Sequence, residues 1–255
     1  MKRLYVMAAI LMAVSCLVLS SCGDDEDENI PESKKQNHEY VDLGLPSGTL
    51  WATCNVGADS PEDYGLYFAW GETQGYSNDV LSDGKTAADS HSFDWSTYKY
   101  CNGSFSTLTK YCNNSSYGYN GFTDDLTELL PEDDAATANW GSEWCMPNRA
   151  QLYELINSSY TTTAWTTLNG VYGRKITSKV SGYVGNFIFL PAAGYRHDSS
   201  LNGAGSGGLY WSRTLDTYIL GGAHDLWFGS DDIRTNSSYI SRCTGHLVRP
   251  VRVSQ

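Results

Sequence analysis

Five histidines and seven cysteines are the residues of this chain best suited to bind a metal or act as a nucleophile. The histidines, His38, His91, His197, His224 and His246, never fall four apart, so no helix can present a pair of them to zinc. No C-x-x-C occurs, which removes the spacing of a zinc ribbon or a dithiol redox site. Residues 203–208, Gly-Ala-Gly-Ser-Gly-Gly, spell G-x-G-x-x-G. They follow a polar loop and lead into a strand, whereas a dinucleotide site needs a strand before and a helix after. Ser206 is no nucleophile elbow, because Ala204 stands where G-x-S-x-G requires glycine. Residues 79–90 open like a calcium loop with Asp79, Asp83 and Gly84, then put Leu81 at the third ligand position and Ser90 at the twelfth. The doublets Asp124-Asp125 and Asp231-Asp232 could pair carboxylates for acid–base work, but in so acidic a chain they read first as solvated loop residues. The expectation is a protein with no cofactor and no metal that is not an enzyme.

The elements that would position any site are mostly short strands. Residues 40–56 read as two of them and residues 66–70 as a third, entered through the turn at Ser60-Pro61-Glu62-Asp63. Between residues 71 and 120 the apolar pattern fails, and a long ordered loop region is expected. Residues 131–139 form a short helix candidate, with Pro131 at its start and Gly141 past its end. A second helix is expected over 149–157. Asn148 can cap it, Gln151 stands in the capping-box place, and Leu152, Leu155 and Ile156 make one apolar face. Strands 161–168 and 171–178 flank Asn169-Gly170, a strong hairpin signal. Further strands are expected at 187–190, 209–214, 225–229 and 247–253. The fold class is α+β with mainly antiparallel sheet, two short helices and long loops.

At the N-terminus, Lys2 and Arg3 precede an apolar run from Leu4 to Leu19, and Leu19-Ser20-Ser21-Cys22 follows. That order of charge and apolar length is that of a secretory signal. The small residues before Cys22 resemble the site cut by the lipoprotein signal peptidase, which implies cleavage after residue 21 and acylation of Cys22. Residues 22–38 then form a tether that opens with five acids in a row, Asp24 to Glu28. Such a run after the lipidated cysteine looks like the signal that sends Bacteroidetes lipoproteins to the cell surface. The expected location is the outer membrane, lipid-anchored and facing the exterior. The net charge is −12, and it becomes more negative by two once Lys2 and Arg3 are removed. This argues against a nucleic-acid partner and leaves the lipid as the link to the membrane.

Several segments together resemble a family. Tyr40-Val-Asp-Leu-Gly-Leu-Pro-Ser-Gly-Thr-Leu-Trp-Ala-Thr-Cys-Asn-Val-Gly-Ala58 is similar to the opening signature of the major paralogous domain first named from Fibrobacter succinogenes. Pro61-Glu-Asp-Tyr-Gly-Leu-Tyr-Phe-Ala-Trp-Gly-Glu72, Trp140-Gly-Ser-Glu-Trp-Cys-Met-Pro147 and Phe189-Leu-Pro-Ala-Ala-Gly-Tyr-Arg196 follow in order, then Tyr210-Trp-Ser212 and Val248-Arg-Pro-Val251. The resemblance implies a C-type lectin-like fold for residues 39–255 as one domain. It departs at Cys145, where arginine is usual, and at Asn148, where threonine is usual.

What the resemblance implies about function is a binding module for glycans or surface proteins. The alternative is a structural subunit or tip component of a surface appendage or adhesin. Formylglycine-generating enzymes share the lectin-like fold, but their copper-binding cysteine pair has no match here. The calcium-binding triplets of C-type lectins are absent too. In lectin-like folds the recognition face lies on long loops between the C-terminal strands. That makes Tyr195, Arg196, His197, Asp198, Trp211, Asp225 and Trp227 the candidate ligand residues. Tyr195 and Trp211 belong to segments that could equally be core. Because Cys145 precedes the helix and Cys243 the last strand of such a fold, a Cys145–Cys243 disulfide is implied. A Cys101–Cys112 bridge and simple buried thiols compete with it.

Overall fold

The computed structural model describes residues 38–80, 84–235 and 241–253. The signal segment, Cys22, nearly all of the tether, and positions 81–83 of the calcium-like loop lie outside them. The elements in chain order begin with strands β1 (Tyr40–Asp42), β2 (Thr49–Ala52), β3 (Leu66–Tyr67) and β4 (Tyr76–Ser77). Helices α1 (Ala135–Trp140) and α2 (Arg149–Leu155) follow. Then come β5 (Thr161–Leu168), β6 (Val171–Ser178), β7 (Phe187–Pro191), β8 (Tyr195–His197), β9 (Ser200–Asn202), β10 (Gly207–Leu215), β11 (Ala223–Gly229), β12 (Ile233–Thr235) and β13 (Val251–Val253).

Every strand pair is antiparallel. The two ends of the described chain meet in one sheet of order β1–β2–β13, with Trp51 opposite both Val41 and Val251. All four residues of β2 are buried, as expected of a short central strand with both faces covered. The hairpin β5–β6 turns at Asn169-Gly170, both with positive φ as a tight primed turn demands, and β7 extends it to three strands. A third sheet has the order β10–β11–β12. The core between these sheets is aromatic: Trp51, Trp70 and Trp211 are all fully buried.

Both helices form, with boundaries set by their caps. Asn148 Oδ1 accepts from the Gln151 backbone N–H at 2.8 Å and Gln151 returns the bond, so α2 starts as the sequence indicates. The first helix starts later than Pro131, which belongs to a 3-10 turn (Pro131–Asp133). The buried Asp134 carboxylate accepts from Ala136 N, Thr137 N and Met146 N and is therefore the true cap. Strand 66–70 shrinks to β3, after which Phe68 bridges His246, and strand 247–253 shrinks to β13, with Leu247 bridging Tyr210. Among the described residues no helix is long and apolar enough to cross a membrane.

The implied Cys145–Cys243 disulfide does not form, and neither does Cys101–Cys112; all five cysteines from Cys54 onward are free. Cys145 pairs with Val251 through both backbone hydrogen bonds, at 3.0 and 2.9 Å. From Gly245 the chain runs through bridges at His246 and Leu247 before it reaches Val251. Such a run spans on the order of 20 Å, several times the Cα separation of about 4.4–6.8 Å that a disulfide allows. Burial raises the Cys145 thiol to about 11 and the Cys243 thiol to about 12, so both stay protonated at neutral pH.

Candidate functional site

The seven candidate ligand residues do not converge on one surface. Register places Trp211 opposite Asp225 on β10 and β11, and both side chains are fully buried. Trp211 Nε1 donates to Phe68 O at 2.8 Å, and the ring stacks on His246 at 3.7 Å, so it holds the core together. Tyr195 is half-buried with its ring edge-on to His246. Trp227 is half-buried beneath the Arg234 guanidinium, 4.5 Å from the ring centre. His197 and Asp198 alone are exposed, paired with each other at 3.4 Å on the tip of the β8–β9 hairpin. The expected role is thus corrected for Arg196, Trp211 and Asp225, whose burial leaves them no face to offer a ligand.

Arg196 is a buried anchor for the long loop region. Its guanidinium donates to Asp89 Oδ1 at 2.8 Å, to Ser199 O at 3.1 Å and to Asn78 Oδ1. The bond to Arg196 pulls the Asp89 carboxyl down to about 2. Arg242, also fully buried, donates to Tyr111 O at 2.9 Å. Asp133 receives the Tyr100 hydroxyl, the Tyr111 hydroxyl at 2.7 Å and the Lys110 ammonium at 2.5 Å. Burial alone would raise this carboxyl, but the hydrogen bonds hold it below its ordinary range. These contacts fasten residues 71–122 to the sheets at a few polar points, and Phe93 adds a bridge to Asp198.

Two open clefts share the Gly57–Asp59 corner. One, of about 400 Å³, is lined by Asp59, Glu62, Asp63 and Asp79 with Tyr64 and Asn78. Three of its carboxylates are engaged locally: Glu62 by Asn169, Asp63 by the Ser60 amide and Asp79 by Ser77. The other, of about 440 Å³, lies between His38 and Trp140, whose rings stack at 3.6 Å, and the Thr53–Cys54 turn. Among the described residues no group of three His, Cys, Asp or Glu could hold a metal ion.

The most distinctive surface is aromatic. Trp95, Phe105 and Tyr117 form a row with ring centres 6.4 and 5.7 Å apart, and Phe105 is 47% exposed. Gly221, in the β10–β11 loop, lets Trp95 settle against the backbone: a Cβ there would stand 3.2 Å from the indole. The same loop carries Tyr218, at 88% the most exposed large hydrophobic side chain among the described residues, and Asp216 Oδ1 fixes its shape by accepting from the Tyr218 and Ile219 amides. Exposed Tyr119 and Phe122 follow in the chain. Periodicity could not find these residues, because they lie where no periodicity exists. The available signal was composition: residues 101–122 hold five aromatic side chains and a single charged one, Lys110. The chain matches no protein-family model, no curated protein and no solved structure.

Proposed function

We propose that this chain is a surface lipoprotein, acylated at Cys22 and carried on the outer membrane, whose lectin-like domain is a binding module. The observation that carries the reading is where the aromatic residues go. In the segments that resemble the paralogous domain, Trp51, Trp70, Tyr67, Tyr210 and Trp211 are in the core, Tyr64, Trp140 and Tyr195 are half-buried, and Tyr40 is exposed. Of the exposed ones, Phe105, Tyr119, Phe122 and Tyr218 lie on the long loops, which is where a scaffold presents recognition residues, while Tyr40, Tyr153, Tyr172 and Phe187 lie on β1, α2, β6 and β7. Three features support the lectin-like reading: chain ends joined in one sheet, two short helices, and a long loop region docked on the C-terminal strands. The ligand on this reading is a glycan or a surface protein, bound by the loop face.

An assembly subunit is the second reading, favoured by β5. It has no strand on its outer side among the described residues and exposes Thr162, Ala164 and Thr167 along that edge.

The test has two arms. Cys22→Ser should abolish labelling by a fatty-acid analogue and release the protein from membranes, and persistent labelling would refute the anchor. The detergent-purified full chain should bind a component of a glycan array or a surface-protein fraction. Co-purification in fixed stoichiometry with appendage subunits, with no such binding, would favour the assembly reading.

A further inference from the structure

We infer that the ligand of the loop face is an uncharged saccharide, stacked on the Trp95–Phe105–Tyr117 row. This deepens the binding-module reading and rests on it. A sugar ring offers a C–H face to an aromatic ring, whose π-cloud is negative, and a rim of hydroxyls to amides and hydroxyls alongside. The loop face supplies both. Phe105 and Tyr117 present ring surface, and Trp95 is held from behind by Gly221. Around them the chain places Asn102, Asn113, Asn114, Ser115 and Ser116, all exposed.

Charge decides the class of ligand. Elsewhere the chain is rich in acids, but residues 101–122 carry only Lys110, and its ammonium is spent on the buried Asp133. No cation is left on this stretch to receive a sulfate, a carboxylate or a phosphate, and the net charge of −12 repels polyanions. No carboxylate stands on it to receive a basic ligand either, and that of Asp94, beside Trp95, is engaged by Ser92 and Ser96. A protein partner would call for a contiguous apolar centre with arginine among its anchors. Here the row is only three rings long and flanked by small polar residues, and the stretch has no arginine.

The test is affinity electrophoresis of the detergent-solubilised full chain through gels containing soluble β-glucan, mannan, starch or arabinan, with heparin and polygalacturonate as charged controls. At least one neutral polymer should retard the protein, and neither polyanion should. Phe105→Ala and Tyr117→Ala should each weaken binding about tenfold or more, and the double variant should abolish it. Phe105→Trp, which keeps a ring, should retain it. Thermal melting of Phe105→Ala should match the parent, since that ring is 47% exposed; Tyr117 is half-buried, so its variants are compared with the parent at equal folded fraction. Retardation by a polyanion alone, or neutral binding unchanged in the double variant, overturns the inference. If no neutral polymer binds but a surface protein is captured and then lost in the double variant, the saccharide fails and the binding module stands. Absence of any ligand for the full chain refutes both.

Discussion

The β10–β11 pair with the segment 242–251, and the long loop region 71–122, both bury aromatic residues in the core, Phe93, Tyr98, Tyr100 and Tyr111 among them, but only the second also turns several outward. In the first, Tyr210, Trp211 and Phe228 are buried, and hydrogen-bonded ladders run on either side of them. In the second, the chain is held by short turns, isolated bridges and a few polar anchors, and Phe105, Tyr119 and Phe122 face solvent. Burial of large apolar area stabilises the first region globally. The second combines buried Phe93, Tyr98, Tyr100 and Tyr111 with the polar anchors Arg196, Arg242 and Asp133. Removing one of those anchors is expected to loosen it while the sheets stay folded.

The largest effect is expected at Arg249, the anchor inside the first region. It is 1% exposed and donates to Asn55 Oδ1, Ala52 O, Thr53 O and Phe189 O, tying the last strand's approach to β2 and β7. Arg249→Ala leaves these buried acceptors unsatisfied and should cost about 3–5 kcal/mol, lowering the melting temperature by roughly 10 °C. A loss below about 1 kcal/mol would show that this region does not rely on its anchor.

Arg196→Ala is the matching lesion in the contact between the regions. The bonds to Asn78, Asp89 and Ser199 disappear, and the expected result is local. Hydrogen exchange and protease cleavage should rise in residues 76–98, while the β5–β6 hairpin keeps its protection. Equal loss of protection in both would mean that the long loop region and the sheets unfold as one.

Acid should separate the regions again. Burial between Trp211 and Tyr195 holds the His246 imidazole neutral, with its pKa well below 6.5, and its Nε2 bonds Thr244 Oγ1 at 3.0 Å. Below pH 6.5 the unfolded chain gains a proton that the folded protein refuses. Stability is therefore full above that pH and falls as pH drops, by up to about 1.4 kcal/mol per pH unit. The half-buried His38 and His91, also lowered by burial, add to the same trend. His246→Gln should flatten most of the slope in urea unfolding measured from pH 7.5 to 5.0, and an unchanged slope would place its source elsewhere.

The sequence made the sheets and helices outside these two regions the most legible, the β10–β11 region partly so and the long loop region hardly at all. Asn169-Gly170 located the β5–β6 hairpin, and Asn148 with Gln151 located α2, because those signals act between neighbouring residues. Arg196 was misread as a ligand residue. Its partners Asn78 and Asp89 lie 118 and 107 positions away, and only the fold brings them together. Trp211 and Asp225 were misread for a related reason. Alternation along β10 and β11 fails to mark an outer face, since β10 has five consecutive buried residues and β11 four. The aromatic row was missed because its members sit at 95, 105 and 117, a spacing that matches neither strand nor helix.

The smallest expected effect gives the cleanest test, since the same device occurs once on a helix packed in the core and once in the long loop region. Asn148 and Gln151 form a capping box on α2, and Thr86 and Asp89 form one on the 3-10 turn Ala87–Ser90. Removing either cap oxygen with alanine costs about 1 kcal/mol of local stability. In Asn148→Ala that loss should appear in global unfolding. Leu152 and Leu155 of α2 are buried in the core, so the helix cannot fray alone. In Thr86→Ala the global midpoint should move by no more than a few tenths of a kcal/mol, and the loss should register as faster exchange at the Asp89 amide. That amide donates to Thr86 Oγ1 at 3.1 Å, and the same oxygen accepts from Arg196 Nη2 at 3.4 Å. Thr86→Ser keeps the oxygen and should restore the slow exchange. If Thr86→Ala lowers global stability as much as Asn148→Ala does, the long loop region belongs to the same cooperative unit as the sheets, and its aromatic row is held as rigidly as the core.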